Sequence, residues 1–358
     1  MNAKLVEEIA NAVLYEGYML YPYRPSSVKN RQRWNFGVVY PKNYSEAQNG
    51  ADNWFQQSEC LVTGSSSTQL RIKVRFLQAV ARTVGELKAP MDEWRAGSAN
   101  DPEPDYRVVQ SLSVGNQILQ SWQEAIEREI VLAAVPLADC ISSPFSSSFC
   151  FSGARELEPV RGADGRIVAL LVRTKDFVAG KVEAAAECLE DGVFKITVRV
   201  LNCSVSKNSA FPSRDDALMQ SLLSAHTILC VVGGEFISLL DPHASLSAHV
   251  SACKNVGTFP VLAGEEGQRD GMLSSPIILY DYPQIAPESP GELFDGTEID
   301  EILALRILTL TDEEKHEMRD SDERARRILE RTESLPAEHF MKLHGVLRGL
   351  RLSDEEKP

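Results

Sequence analysis

"KVEAAAECLEDGVFKITVRVLN", residues 181–202, sets the fold class. Two extended runs flank Asp191-Gly192, a dipeptide suited to the positive φ of a tight primed turn, so the stretch is expected to form a hairpin. On its second arm Phe194, Ile196, Val198 and Val200 alternate with Lys195, Thr197 and Arg199. Period-two alternation gives one packed and one wet face, the mark of an antiparallel sheet. "RIVALLVRT" (166–174) reads as a further strand on the N-terminal side.

Working outward, "QLRIKVRFLQAVART" (69–83) alternates Leu70, Ile72, Val74 and Phe76 with Arg71, Lys73 and Arg75, a half-buried strand with a cationic face. It follows "ECLVTG" across "GSSST", which reads as a turn, and "FGVVYP" (36–41) reads as a short strand. Residues 88–106, rich in Pro, Asp, Gly and Asn, read as a surface loop. At the start, "AKLVEEIANAVL" (3–14) places Leu5, Val6, Ile9, Ala10 and Val13 at helical spacing.

Beyond Ser213 the pattern reads as helix, with a Ser/Asp start and an end on Gly233-Gly234, followed by a strand "EFISLL" and a helix from about Asp241 to Cys253. "SSPIILYDYPQIAPESPGELFDG" (274–296) is an extended strap. The tail is helical: Ile299, Ile302, Leu303 and Leu305 form a stripe, Thr311 and Glu314 form a capping box, and "PAEHFMKLHGVLRGL" (336–350) reads as a last helix. The expectation is an α+β chain: a β-rich body with antiparallel sheet and hairpins over 1–205, an α/β portion packed on it over 206–290, and a charged helical tail over 291–358.

Composition limits function. Of 358 residues, 37 are Lys or Arg and 51 Asp or Glu, and the net charge of −14 disfavours nucleic acid and anionic membranes as partners. No apolar run approaches the ~20 residues of a membrane span and no secretory signal opens the sequence, so a cytoplasmic protein is expected. Seven scattered cysteines argue for reduced thiols rather than a disulfide framework.

Chemistry-bearing motifs are sparse: the sequence has no CxxC, GxSxG, Walker A or GxGxxG pattern. His243, His249 and Cys253 could share part of a metal site, since His249 and Cys253 are four apart on an expected helix. The commoner outcome for such a trio is an exposed helix with a small buried thiol. No cofactor is expected and the main expectation is a non-enzymatic protein, the alternative being a metal-binding enzyme or metal chaperone that uses those three residues.

"YEGYMLYPYRPSSVKNRQRW" (15–34) crowds aromatics and cations together. Tyr, Trp and Arg are hot-spot residues, which makes Tyr18, Tyr21, Tyr23, Arg24, Lys29, Arg31, Arg33 and Trp34 candidates for a partner surface, with Tyr280, Asp281 and Tyr282 of the strap. A packing role, rings buried and hydroxyls serving loop backbone, is the competing expectation.

"VLYEGYMLYPYRPSSVKNRQRWNFGVVYP" (13–41) and "MLSSPIILYDYPQIAPESPGELFDGTEIDEILALRILTLTDEEKHEMR" (272–319) resemble an uncharacterised bacterial family encoded beside nickel–iron uptake hydrogenases and their maturation factors. The resemblance implies a cytoplasmic accessory protein that assists hydrogenase assembly, maturation or docking, with a hydrogenase subunit or maturation protein as partner. It implies no catalytic residue.

Overall fold

The computed structural model describes residues 3–18, 22–24, 26–27, 30, 35–94, 102–205, 211, 213–285 and 300–335. The chain is α+β and rich in strand. Its spine is β1 (Phe55–Met91), a single strand of 37 residues. At about 3.3 Å per residue a straight strand of that length would run ~120 Å, far beyond the ~20 Å radius of gyration of a compact chain this size. Register shifts at Gly64/Gln69 and Arg75/Leu77 bend it. The "GSSST" expected as a turn is the first of these irregularities, so both flanking runs belong to one strand.

Bending lets β1 serve many partners, all antiparallel. Its first third pairs with β11 (Val193–Asn202), and its middle with β12 (Leu223–Phe236) on one edge and β5 (Trp122–Val131) on the other. Its last third pairs with β2 (Tyr106–Val109) and β9 (Ile167–Lys175), β8 (Ala154–Arg161) pairs in turn with β9, and the short β6 (Val135–Pro136) meets β1 at Gln69 and Leu70. The expected hairpin is present: β10 (Val178–Glu190) pairs with β11 around Gly192 at φ 76°. The sheet then runs outward to β7 (Phe145–Phe151) on one side and through β14 (Gly271–Ser275) to β13 (Phe259–Leu262) on the other. A separate hairpin joins β3 (Ser111–Val114) to β4 (Gln117–Gln120).

The helix expected after Ser213 is short. Ser213 does cap α4 by accepting from the Asp216 N–H at 3.1 Å, yet α4 (Arg214–Leu218) has five residues, after α1 (Ala3–Leu14), α2 (Lys42–Ala47) and α3 (Leu137–Ser142). Residues 223–231 are strand instead, buried on nearly every side, and a run buried on both faces carries no period that separates helix from strand. Gly233-Gly234 is therefore no helix end; Gly234 lies opposite Gly64 at the bulge, where a Cβ would come 2.7 Å from the Thr63 carbonyl oxygen. The boundary expected near 205 does not divide the sheet, because β12 pairs along β1. The helix expected over 241–253 is a 3-10 turn (244–246) and α5 (Ser247–Ser251), and "FGVVYP" makes a single bridge, Val39 to Leu222.

One core fills the inside of the sheet around Phe76, Leu70, Val74, Ile196, Leu229 and Phe236. On the outer face α1 lays Val6, Ile9 and Ala10 against Ile228 and Leu273. Its Glu7 meets the cationic face of β1, pairing with Lys73 and with Arg75 at 3.4 Å, while Glu127 of β5 holds Arg75 at 3.1 Å. The tail packs through α6 (Asp300–Leu308), α7 (Asp312–Ser321) and α8 (Glu323–Glu333). The Thr311 capping box forms in both directions. In α6 the buried positions are Leu303, Ala304 and Ile307, whereas Ile302 and Leu305 of the expected stripe are exposed. The segment 336–350, Ile299 and the strap beyond 285 lie outside the described residues.

Candidate functional site

The aromatic opening stretch is a staple between β5 and the tail. Tyr18 donates to the Glu124 carbonyl at 2.9 Å and Tyr15 to the Glu127 carboxylate at 3.0 Å. The Arg324 guanidinium of α8 lies 4.1 Å over the Tyr15 ring. Tyr23, 2% exposed, holds the left-handed backbone (φ 57°), which costs a bulky residue about 1–2 kcal/mol, and its carbonyl accepts from the Ser321 hydroxyl. Arg24 reaches Glu314 at 2.7 Å and Glu317 at 3.5 Å, and Ser26 gives Glu317 its N–H and hydroxyl. This corrects the partner-surface expectation for Tyr18, Tyr23 and Arg24: their rings and charge are committed to the chain's own core and α7. Tyr21, Lys29, Arg31, Arg33 and Trp34 lie outside the described residues.

The strap behaves differently. Asp281 accepts the Leu262 N–H at 2.8 Å and the Ser238 hydroxyl at 2.5 Å, and that same hydroxyl accepts from the N–H groups of Leu240 and Asp241. Tyr282 donates its N–H to the Leu262 carbonyl at 2.8 Å, with φ at 54°, and its ring packs on the main core. Leu279 packs beside α1. Leu279, Asp281 and Tyr282 face the body, whereas Ile278 and Tyr280 are 75% and 85% exposed. Of the three expected strap contacts only Tyr280 is presented; Asp281 and Tyr282 are its anchors. Ile278 is joined as an exposed apolar residue by Leu240, 55% exposed, whose N–H goes to Ser238. Sequence reading passed over both, because nothing local marks Ser238 as the group that ties residue 240 to residue 281.

The metal candidates do not converge. His243 takes a hydrogen bond from Ser245, His249 lies 4.0 Å from Glu190, and the Cys253 sulfur contacts the His249 carbonyl. Among the described residues no three His, Cys, Asp or Glu side chains are grouped to hold a metal. Burial pushes the Cys253 thiol up to about 11, with Glu59 adding to the effect, so it is protonated at neutral pH.

A cleft of about 480 Å³ opens between the sheet and the tail, with Arg82, Glu124 and Arg173 on its floor and Arg319, Asp320 and Arg326 on its rim. Its charges answer one another: Glu124 takes Arg82 and Arg173, both at 2.9 Å, Arg319 reaches Glu333, and Arg326 pairs with Glu323.

Away from the cleft, His226 of β12 is wholly buried, its Nδ1 donating to the Ser224 carbonyl at 2.7 Å and its Nε2 facing the Ser275 hydroxyl at 3.2 Å. Burial, with a smaller contribution from Arg75, lowers its pKa from 6.5 to about 4. The unfolded chain therefore binds the proton first, so stability is present above the unfolded value and is lost as pH falls toward the folded one. Between about pH 7.5 and 5 the wild type is expected to lose about 2 kcal/mol from this group. Urea midpoints across that range should fall for the wild type and flatten in His226→Gln; parallel curves would reject the assignment.

No protein-family model matches the chain, and no curated protein matches it. Among the described residues no helix is long and apolar enough to cross a membrane.

Proposed function

We propose that the protein is a non-enzymatic accessory that binds another protein through the strap, and that its partner is a nickel–iron hydrogenase subunit or maturation factor. The observation that supports binding is the clamp at Asp281, which holds the backbone while Ile278 and Tyr280 stand in solvent. An apolar pair on an immobilised backbone has already lost the entropy that docking would remove, so contact is made at low cost. The resemblance of residues 13–41 and 272–319 supports the hydrogenase context, and the second of those segments contains the clamp.

Co-purification from cells carrying the hydrogenase and its maturation factors tests both parts. Tyr280→Ala is expected to reduce recovery of those partners about tenfold, the effect of one hot-spot aromatic, with the melting temperature held because the ring touches solvent. Equal recovery from wild type and variant would dismiss the strap as the contact, and a wild type that retains no hydrogenase component would dismiss the context.

A further inference from the structure

We infer that the free edge of β7 pairs antiparallel with β7 of a second copy of this chain, continuing the sheet across a two-fold axis at Ser147. Among the described residues β7 pairs with β10 alone and ends the sheet. Which of its backbone groups are spare follows from β10. Ala179 donates its N–H to the Ser204 hydroxyl and accepts the Cys203 N–H on its carbonyl, both just past the end of β11, so Gly180, Val182 and Ala184 turn their groups toward β7. Their register partners Phe149, Ser147 and Phe145 answer them, and the N–H and C=O of Ser146 and Ser148 point away from the sheet, with no hydrogen bond to another described residue. Burial agrees. On the enclosed face Val182 and Ala184 of β10 and Val198 and Val200 of β11 are at most 1% exposed, whereas Phe145 and Phe149 on that same face of β7 stay part-exposed.

Sheet edges are ordinarily blunted by charge, by proline or by a covering segment. β8 carries Arg155, Glu156, Glu158, Pro159 and Arg161, β5 carries Glu124, Glu127, Arg128 and Glu129, and on β13 the strap takes both backbone groups of Leu262. β7, "FSSSFCF", has no charge and no proline. The Arg128 guanidinium lies 4.5 Å over the Phe151 ring and closes that end, which leaves Phe145–Phe149, Phe-Ser-Ser-Ser-Phe, a sequence that reads the same in either direction. That symmetry selects the occupant. Antiparallel pairing about Ser147 sets Ser146 opposite Ser148 of the copy, so spare groups meet spare groups, and sets Phe145 beside Phe149 of the copy on one face. The charges match as well: Glu183 lies opposite Ser146 and Lys181 opposite Ser148 on β10, so each row across the junction has Glu183 at one end and Lys181 of the copy at the other. An isologous contact of this kind closes at two chains.

Sedimentation velocity of the full chain over about a hundredfold range of concentration tests the pairing. A monomer–dimer equilibrium is expected, shifted toward dimer by added salt because each copy carries −14. Ser148→Pro removes an N–H that lies outside the β10 ladder, and is expected to weaken the dimer at least about tenfold while melting as the wild type does at dilution. Ser146→Lys with Ser148→Lys should likewise abolish association. Mixing that variant with Ser146→Glu/Ser148→Glu should restore a dimer containing one of each, since the register sets 146 against 148. A wild type that stays monomeric at every concentration would overturn the proposal and leave the edge to an extended segment of another protein. A dimer indifferent to Ser148→Pro would place the contact elsewhere, and a wild-type dimer whose oppositely charged variants fail to associate would overturn pairing about Ser147.

Discussion

Phe76→Ala is expected to destabilise the protein by about 3–5 kcal/mol, the usual cost of deleting a fully enclosed phenyl ring. Phe76 has no exposed surface and sits beside the second bend of β1, between Arg75 and Leu77. Its ring lies 5.9 Å from those of both Phe149 and Phe151 on β7, a strand that shares no hydrogen bonds with β1. These rings therefore join two parts of the sheet that the backbone ladder leaves separate. The extent of the loss depends on β7, which carries both neighbouring rings at the end of the sheet. Urea unfolding with tryptophan fluorescence measures the loss, and Phe76→Leu should recover more than half of it. A loss below about 1 kcal/mol for the alanine variant would mean that β7 closes over the gap.

Arg82→Ala is expected to cost about 3–5 kcal/mol by a different route, the stranding of buried charge and carbonyls. The guanidinium, 8% exposed, donates to Glu124 at 2.9 Å, to the Ser321 carbonyl at the end of α7 at 2.9 Å and to the Gln120 carbonyl at 3.2 Å. One side chain thus binds β1, β5 and the tail together. Alanine would leave Glu124 with Arg173 alone and two carbonyls without this donor. Because the group is shielded from solvent, the loss should change little between low and high salt. Arg82→Met combined with Glu124→Leu should regain only the part that comes from the unpaired carboxylate, since both carbonyls would still lack this donor and Arg173 would lose Glu124. Limited proteolysis should cut α7 and α8 first in Arg82→Ala; uniform digestion would show that the tail is held elsewhere.

Both predictions concern contacts that link distant parts of the chain, and the sequence was least legible at such points. Local rules located α1, the Asp191-Gly192 hairpin, the Ser213 cap and the Thr311–Glu314 capping box, since each is decided by neighbours within a few residues. They misread 223–234 as helix and Gly233-Gly234 as its end, because a run enclosed on both faces has no amphipathic period. They divided β1 at "GSSST", since a bulge and a turn draw on the same small polar residues.

For the candidate site the same division holds. The two segments richest in aromatics were recognisable from residue type, which reports what a side chain is able to contact. Whether Tyr18, Tyr23 and Tyr280 meet the chain or the solvent is a property of tertiary placement: Glu124, Ser321 and Ser238 lie far from them in sequence and are brought to them only by folding. Composition and short-range pattern thus account for an acidic α+β chain built on antiparallel hairpins. The bent course of β1, the inward commitment of the opening tyrosines and the outward display of Ile278 and Tyr280 were settled by long-range hydrogen bonds and packing, whose partners no local window contains.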